Sequence, residues 1–155
     1  MASHKHAKNG LLARTTSSAT DVLQMAEAVA TSQQTDWFRG LGPLTVTNRG
    51  ASAMEFTVLG GLGGKYKQIV FTVSTGTDAS TTTVRTAISF YRTSQNTIMG
   101  FIPAGPKLMN NYSTYKLFLE RLSATLKDSD ANASIVISDT ADSDPVPPAY
   151  SPARD

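Results

Sequence analysis

Few side chains in this sequence are suited to chemistry, and the first candidates stand at its amino terminus. His4 and His6 flank Lys5 and are the only two histidines, so their imidazoles could bind a metal ion together. A metal-binding histidine needs a second group that orients its ring. Residues 1–19 are rich in Ser, Thr and Lys and lack apolar periodicity, so we predict a flexible basic arm there. We therefore expect neither a metal site nor a cofactor.

A run of glycines at 60–64 precedes Lys65, as if to bind phosphate. A phosphate-binding loop needs Ser or Thr directly after the lysine and then the first turn of a helix. Here Tyr66 follows, and the next element is a predicted strand. We interpret the glycines as a hairpin connection.

Nucleophilic and acid–base catalysis are poorly provided for. The chain has no cysteine, and a nucleophilic Ser or Thr needs a base beside it, most often histidine. Between residues 37 and 127 the only carboxylates are Glu55, Asp78 and Glu120. Three scattered acids are a weak basis for a paired-carboxylate site such as that of a glycosidase. We predict that the protein is not an enzyme.

Charge is distributed unevenly along the chain. Residues 37–127 hold ten Lys or Arg against three acids, a net charge of +7, whereas 128–155 hold six Asp against Arg154, a net charge of −5. A basic body favours a polyanionic partner. The alternative is a solvated surface with a solubilising tail. No apolar run approaches the roughly 20 residues that span a bilayer, so we expect a soluble protein made in a cytoplasm.

The apolar pattern predicts one α+β domain over 20–138, in a chain of 155 residues. A short helix begins at Thr20 and fades near 31–35. Alternating residues and turn signals then predict an antiparallel meander of about five or six strands. The strands are expected at 44–47, 53–59, 66–74, 81–92 and 98–102, with a turn at 76–78.

The pattern changes to helical spacing at 113–127, with Ser113 as the cap. The apolar side chains of this helix are Tyr115, Phe118, Leu119, Leu122 and Leu126. Residues 133–138 form either a last strand or an apolar latch. The acidic, proline-rich tail at 139–155 is predicted to be disordered.

Two neighbouring strands combine cations, hydroxyls, an amide and an aromatic ring on the face expected to be exposed. Such a face can meet phosphates, 2′-hydroxyls and stacked bases of RNA. The alternative is a sheet face that is simply wet. The candidate RNA-binding residues are Lys65, Lys67, Gln68, Thr72, Thr83, Arg85, Ser89 and Tyr91, with Arg92 as a further cation. On this prediction Phe90 points into the core.

The order of these elements resembles the coat proteins of single-stranded RNA bacteriophages. The segment Lys-Tyr-Lys-Gln-Ile-Val-Phe-Thr-Val at 65–73 is similar to the central strand of that family. Thr-Thr-Val-Arg-Thr-Ala-Ile-Ser-Phe at 82–90 resembles the long strand after it, and 115–128 resembles the helix and its exit. The match in order and spacing spans roughly residues 44–137.

The resemblance implies a virion protein. Its C-terminal helix would cross the sheet of a partner subunit in an intertwined homodimer, and dimers would tile an icosahedral shell. The inner sheet face would bind the RNA genome through Gln68, Val70, Thr72, Thr83, Arg85, Ala87 and Ser89. No membrane or small-molecule substrate is implied.

Geometry also favours a dimer, because one helix covers only part of one sheet face. A partner could bury the remaining apolar surface, at about 25 cal/mol per Å². Two other classes remain open. One is a nucleic-acid-binding module that forms no shell, and the other is a non-viral interaction protein or a jelly-roll capsid subunit.

Overall fold

The computed structural model describes residues 6–36, 41–60, 64–95, 97–99, 102–103 and 108–138. In chain order they form β1 (Gly10–Thr15), α1 (Ala19–Ser32), β2 (Leu44–Arg49), β3 (Ala53–Gly60), β4 (Tyr66–Asp78), β5 (Thr81–Tyr91), β6 (Thr93–Ser94), β7 (Thr97–Ile98), β8 (Ile102–Pro103), β9 (Leu108–Met109), α2 (Tyr112–Ser129) and β10 (Ser134–Ser138). The predictions for residues 1–5 and for the tail at 139–155 lie outside these residues.

Six of the strands form one antiparallel sheet in the order β10-β1-β5-β4-β3-β2. The consecutive strands β2 to β5 are neighbours, as a meander requires. The predicted α+β class, the antiparallel sheet and the C-terminal helix are therefore confirmed.

The hairpin of β4 and β5 turns later than predicted. Glycine, threonine and aspartate at 76–78 suggested a turn, but these residues continue the strand and pair with Thr81, Thr82 and Thr83. The chain reverses instead at Ala79 and Ser80, where Ala79 has a φ of 56°. Nearby Gly76 faces open space, so neither a turn nor close packing requires glycine there.

The predicted arm was wrong from residue 6 onward, because β1 lies inside the sheet between β5 and β10. Leu11 and Ala13 alternate with the exposed Leu12 and Arg14 and enter the core. His6 is also folded: its ring stacks on Tyr112 with 4.0 Å between ring centroids. The pattern Gly-Leu-Leu-Ala-Arg-Thr forms a short strand, but four of its six residues are small or polar, so it is hard to distinguish from its Ser- and Thr-rich neighbours.

Helix α1 is capped by Ser18, two residues before the predicted Thr20. The Ser18 hydroxyl accepts a hydrogen bond from the backbone N–H of Asp21 (3.1 Å), which satisfies one free donor of the first turn. The buried residues of the helix, Val22, Leu23, Ala26, Val29 and Ala30, form one stripe. Helix α2 begins at Tyr112 after Asn111, whose backbone is left-handed, rather than after a Ser113 cap.

The predicted strand at 98–102 was also wrong. Two-residue strands at 97–98 and 102–103 pair with each other instead, and β6 pairs with β9. Met99 lies between the two short strands with a φ of 58°, a left-handed turn conformation that a continuous strand does not contain.

Both helices pack on the same face of the sheet and bury one aromatic cluster. Phe71 in β4 lies 5.3 Å from Phe56, 5.0 Å from Phe118 and 4.7 Å from Tyr115, measured between ring centroids. All four rings are completely buried. These offset or tilted contacts suit the quadrupoles of aromatic rings.

A polar chain crosses this core and fixes the start of β1. The Tyr115 hydroxyl donates to the Asn9 carbonyl (2.9 Å) and lies 3.0 Å from the Thr86 hydroxyl. The Leu11 N–H donates to the same Thr86 hydroxyl (2.9 Å). Burial raises the pKa of Tyr115 above its usual range, so the phenol remains a donor. The buried polar groups of this contact are therefore satisfied.

A candidate nucleic-acid interface

No described helix covers the second face of the sheet, which we call the open face. Because strand residues alternate between faces, the neighbours of core residues point to this side. The side chains that register and burial assign to it are Leu12, Arg14, Thr45, Thr47, Glu55, Thr57, Lys67, Val70, Thr72, Ser74, Thr83, Arg85, Ala87, Phe90, Ser134 and Val136.

Cations outnumber acids on the open face. Arg14, Lys67 and Arg85 stand against a single carboxylate, Glu55. Among the residues that the structure describes, none of these three cations forms an ion pair with a carboxylate. Glu55 instead accepts a hydrogen bond from the Thr47 hydroxyl (2.8 Å). The positive charges are therefore available to an external anion.

Hydroxyls fill the space between the cations. Arg85 pairs across the sheet with Leu12 on β1 and Ser74 on β4, and Arg14 pairs with Thr83. Neighbours at these positions on adjacent strands lie about 5 Å apart. Guanidinium groups and hydroxyls at this spacing can donate to several phosphates of one nucleic-acid backbone.

An aromatic ring with two cations marks one end of this face. The Lys67 ammonium lies 4.6 Å from the centroid of the Phe90 ring, and the Arg92 guanidinium lies 5.6 Å from it. The Nε of Arg92 donates to the Lys67 carbonyl (2.8 Å), which holds the two residues together. We call Lys67, Phe90 and Arg92 the Phe90 corner. Such a group can combine phosphate binding with stacking on a base.

A groove of about 550 Å³ continues from this corner. Its lining residues are Tyr66, Gln68, Arg92, Thr93 and Asn110. Tyr66 is 57% exposed and lines the groove with Arg92, so a second aromatic residue is accessible beside this cation. The corner and the groove together offer two rings to an unpaired base.

The predicted position of Tyr91 on the exposed face was wrong, because a β-bulge reverses the alternation of β5. Val70 pairs with Phe90 and Phe71 with Ile88, which leaves Ser89 as an extra residue. Phe90 therefore reaches the open face, and Tyr91 packs against the core beside its partner Ile69. A single sequence gives no signal for a bulge that inserts a serine.

A second bulge removes Gln68 from the open face. Val58 pairs with Ile69 and Leu59 with Lys67, so Gln68 has no partner in β3. Its side chain is 5% exposed and accepts a hydrogen bond from Asn110 (3.0 Å) just before α2. Gln68 is therefore held at the end of the sheet, where it lines the groove and not the open face.

The other predicted residues are placed in three ways. Thr72, Thr83 and Arg85 lie on the open face with Lys67, and Lys65 is exposed just before β4. Ser89 is exposed at the bulge and donates to the Val70 carbonyl (3.2 Å). The helix residues are fully buried within the single chain: Tyr115, Phe118, Leu119, Leu122 and Leu126.

Sequence reasoning missed Arg14 and Phe90. Arg14 was missed with its strand, and Phe90 was assigned to the core by unbroken alternation. The Leu11–Ala13 alternation was the available signal for Arg14.

The described ranges contain no cluster of three or more His, Cys, Asp or Glu side chains that could hold a metal ion. None of their helices is both long and apolar enough to cross a membrane. Comparison of the chain with protein-family models, with curated proteins and with solved structures finds no match.

Proposed function

We propose that this protein is a viral coat protein that dimerises, assembles into an icosahedral shell and packages single-stranded RNA on its open face. One observation carries the proposal: within the described part of the chain, no helix covers one face of the sheet, and the three cations on that face form no ion pair with a carboxylate. A surface of this size and charge suits a long polyanion better than a small substrate.

RNA would be held mainly by release of counterions from its phosphates. Arg14, Lys67 and Arg85 on the open face, with Lys65 and Arg92 at its end, supply the charge. The hydroxyls of Thr72, Thr83 and other open-face residues would contact phosphates and 2′-hydroxyls. Few base-specific groups are present, so we expect weak sequence preference and strong salt dependence.

The dimer needs a different argument from the one that the sequence suggested. Helix α2 buries its apolar residues against the sheet of its own chain, so this helix gives no reason for association. An intertwined dimer would require α2 to exchange its own sheet for the equivalent sheet of a partner, as in a domain swap. We therefore propose that complete subunits associate, with the exchanged form as the alternative.

A second candidate function is a nucleic-acid-binding module that forms no shell. The self-contained burial of the single chain favours it, because such a subunit can be stable alone. It would use the same open face, and only the size of the assembly separates it from a coat protein.

Expression in bacteria, followed by size-exclusion chromatography and the ratio of absorbance at 260 and 280 nm, tests both candidates. A coat protein should elute as megadalton particles rich in nucleic acid. Small complexes with nucleic acid would support the binding module. A monomer of 16.5 kDa without nucleic acid, at low and moderate salt, would exclude both.

The test variant combines Arg14→Gln, Lys67→Gln and Arg85→Gln in one chain, and the control, Arg49→Gln, removes one exposed cation elsewhere. Arg49 is also exposed, but it lies on the edge strand β2 and pairs with Glu27 on α1 (2.6 Å). The triple variant should lose nucleic acid from the purified protein, whereas the Arg49 variant should retain it. Equal retention by both would contradict the assignment of the open face.

A further inference from the structure

The outermost strand β10 has a sequence that reads the same in both directions: Ser134, Ile135, Val136, Ile137, Ser138. It lies at one end of the described sheet and pairs only with β1 on its inner side. We propose that β10 pairs with β10 of a second copy of this chain in an antiparallel register centred on Val136. The two sheets would then become one continuous sheet across a two-fold axis.

The symmetry of the sequence sets this register. An antiparallel pair about a two-fold axis places residues at equal distances from the centre opposite each other. With Val136 at the centre, Val136 meets Val136, Ile135 meets Ile137, and Ser134 meets Ser138. Every position therefore faces a residue of its own kind, and no charge faces a like charge.

Both sides of the strand have apolar surface that such a partner would cover. Val136 is 61% exposed on the open face, and its neighbour Leu12 on β1 is 42% exposed. Ile135 and Ile137 are only half-buried at the margin of the core. In the paired form, valine and leucine would make one apolar row across the seam, and the isoleucines would extend the core.

The free backbone groups of β10 are compatible with this register. Alternate residues of an edge strand point N–H and C=O outward, so either Ser134, Val136 and Ser138 or Ile135 and Ile137 present them. Both sets are symmetric about Val136. The pairing register is therefore the same whichever set faces out.

The opposite edge of the sheet is protected against such pairing. Strand β2 contains a bulge at Thr47, where Val46 and Asn48 pair with consecutive residues of β3. It also has the charged Arg49, held by Glu27. Bulges and charges are devices that prevent edge-to-edge association. Strand β10 has neither, which identifies it as the edge for a partner.

This inference rests on the dimer of the proposed function but not on RNA. It specifies how two complete subunits join, and it applies equally to a module that forms no shell. Its experiments are therefore done after ribonuclease treatment and at high salt, where RNA cannot bridge two chains.

Cysteine cross-linking tests the register directly, because the chain has no cysteine of its own. In Val136→Cys the two Cα atoms should be about 4.5–5.5 Å apart, within the range for a disulfide. In the control Leu12→Cys, on the same face one strand inward, they would be about 14 Å apart. Mild oxidation should convert most Val136→Cys chains to a covalent dimer and leave Leu12→Cys monomeric. Equal cross-linking of the two variants would overturn the proposal.

A charge at the centre of the seam gives an independent test. Val136→Lys would place two ammonium groups opposite each other and should weaken the dimer about tenfold, measured by analytical ultracentrifugation. Val136→Thr keeps the shape and should retain the dimer. Circular dichroism should show the same fold for both variants. If Val136→Lys dimerises or forms particles as well as the unmodified chain, the seam is wrong, while the proposed coat function would stand.

Discussion

The two faces of the sheet are made from the same strands but differ in every property that matters for function. One face carries the buried rings of Phe56 and Phe71 under the helices, and the other carries cations and hydroxyls in contact with solvent. Alternation of side chains lets each strand contribute to both faces at once. The difference shows that stability and binding can be changed separately in this protein.

The separation is not perfect, because two bulges exchange residues between the faces near the start of β4 and the end of β5. They bring Phe90 and Lys67 to the open face and remove Gln68 and Tyr91 from it. The Phe90 corner, which combines ring and charge, exists only because of them. Bulges often re-aim side chains next to functional sites.

The largest difference in unfolding free energy is expected between substitutions at two adjacent residues that lie on opposite faces of the sheet. Phe71→Ala should lower the free energy of unfolding by about 3–5 kcal/mol, because it leaves a cavity among the core rings. The neighbouring Thr72→Ala should change it by less than about 0.5 kcal/mol. Urea denaturation followed by circular dichroism measures both. Similar losses for the two variants would show that the open face is covered in solution.

A smaller loss of unfolding free energy is expected from the polar contact on the face that the helices cover. Tyr115→Phe removes the hydroxyl that donates to the Asn9 carbonyl and lies against Thr86. Leaving these buried groups without a partner should cost about 1–2 kcal/mol of unfolding free energy. Hydrogen exchange should show faster exchange at the start of β1 in particular. Unchanged protection there would mean that this polar chain does not hold the strand.

Charge removal should affect the open face alone. Arg85→Gln should reduce affinity for single-stranded RNA about three- to tenfold at moderate salt and lower the salt slope by about 0.7. Arg49→Gln, with the same change of charge, should leave both quantities nearly constant. Fluorescence anisotropy with a labelled oligonucleotide at several salt concentrations provides the measurement. An identical slope for both variants would argue against the open face as the RNA surface.

The smallest expected effect concerns the contact between β1 and the end of α2. The Asp130 carboxylate accepts hydrogen bonds from the Thr16 backbone (2.9 Å) and the Thr15 hydroxyl (3.0 Å), and these lower its pKa below 3.8. Because the pKa of this carboxyl is lower in the folded than in the unfolded chain, its charged form stabilises the fold at pH values above the ordinary pKa. This stabilisation is lost as the pH falls through the folded pKa.

Asp130→Asn should therefore lower the melting temperature slightly near neutral pH. The difference from the unmodified chain should shrink as the pH falls below 3.8. Thermal unfolding at several pH values measures it. A difference that is constant down to acid pH would show that the carboxylate charge is not involved.

Much of the fold could be predicted, because the relevant signals are local. Helical spacing identified α2 within two residues at either end, and alternation identified β2 to β5. Strand β1 was not found, since its six residues gain stability from Arg85 and its neighbours on β5 and from β10, which are far away in sequence. The strand assignment of 133–138 was left open for the same reason.

The candidate site could be predicted only in part. Thr72, Thr83 and Arg85 follow the simple alternation and lie on the open face as expected. Lys67 also lies there, but only because of the bulge at Gln68. Gln68 and Tyr91 do not, because each follows or occupies a bulge whose position depends on how two strands pair. Arg14 lies on the open face only because β1 is a strand of the sheet, which the sequence did not predict.

The amino-acid sequence by itself determined the alternating strands, the amphipathic helix and the excess of cations over acids in the body of the chain. Those properties depend on residue types a few positions apart. Only the tertiary structure decided which face the two helices cover, which side chains the bulges turn over and which strand is left at the edge. These depend on pairing between distant segments, whose register is set by the packing of the whole core.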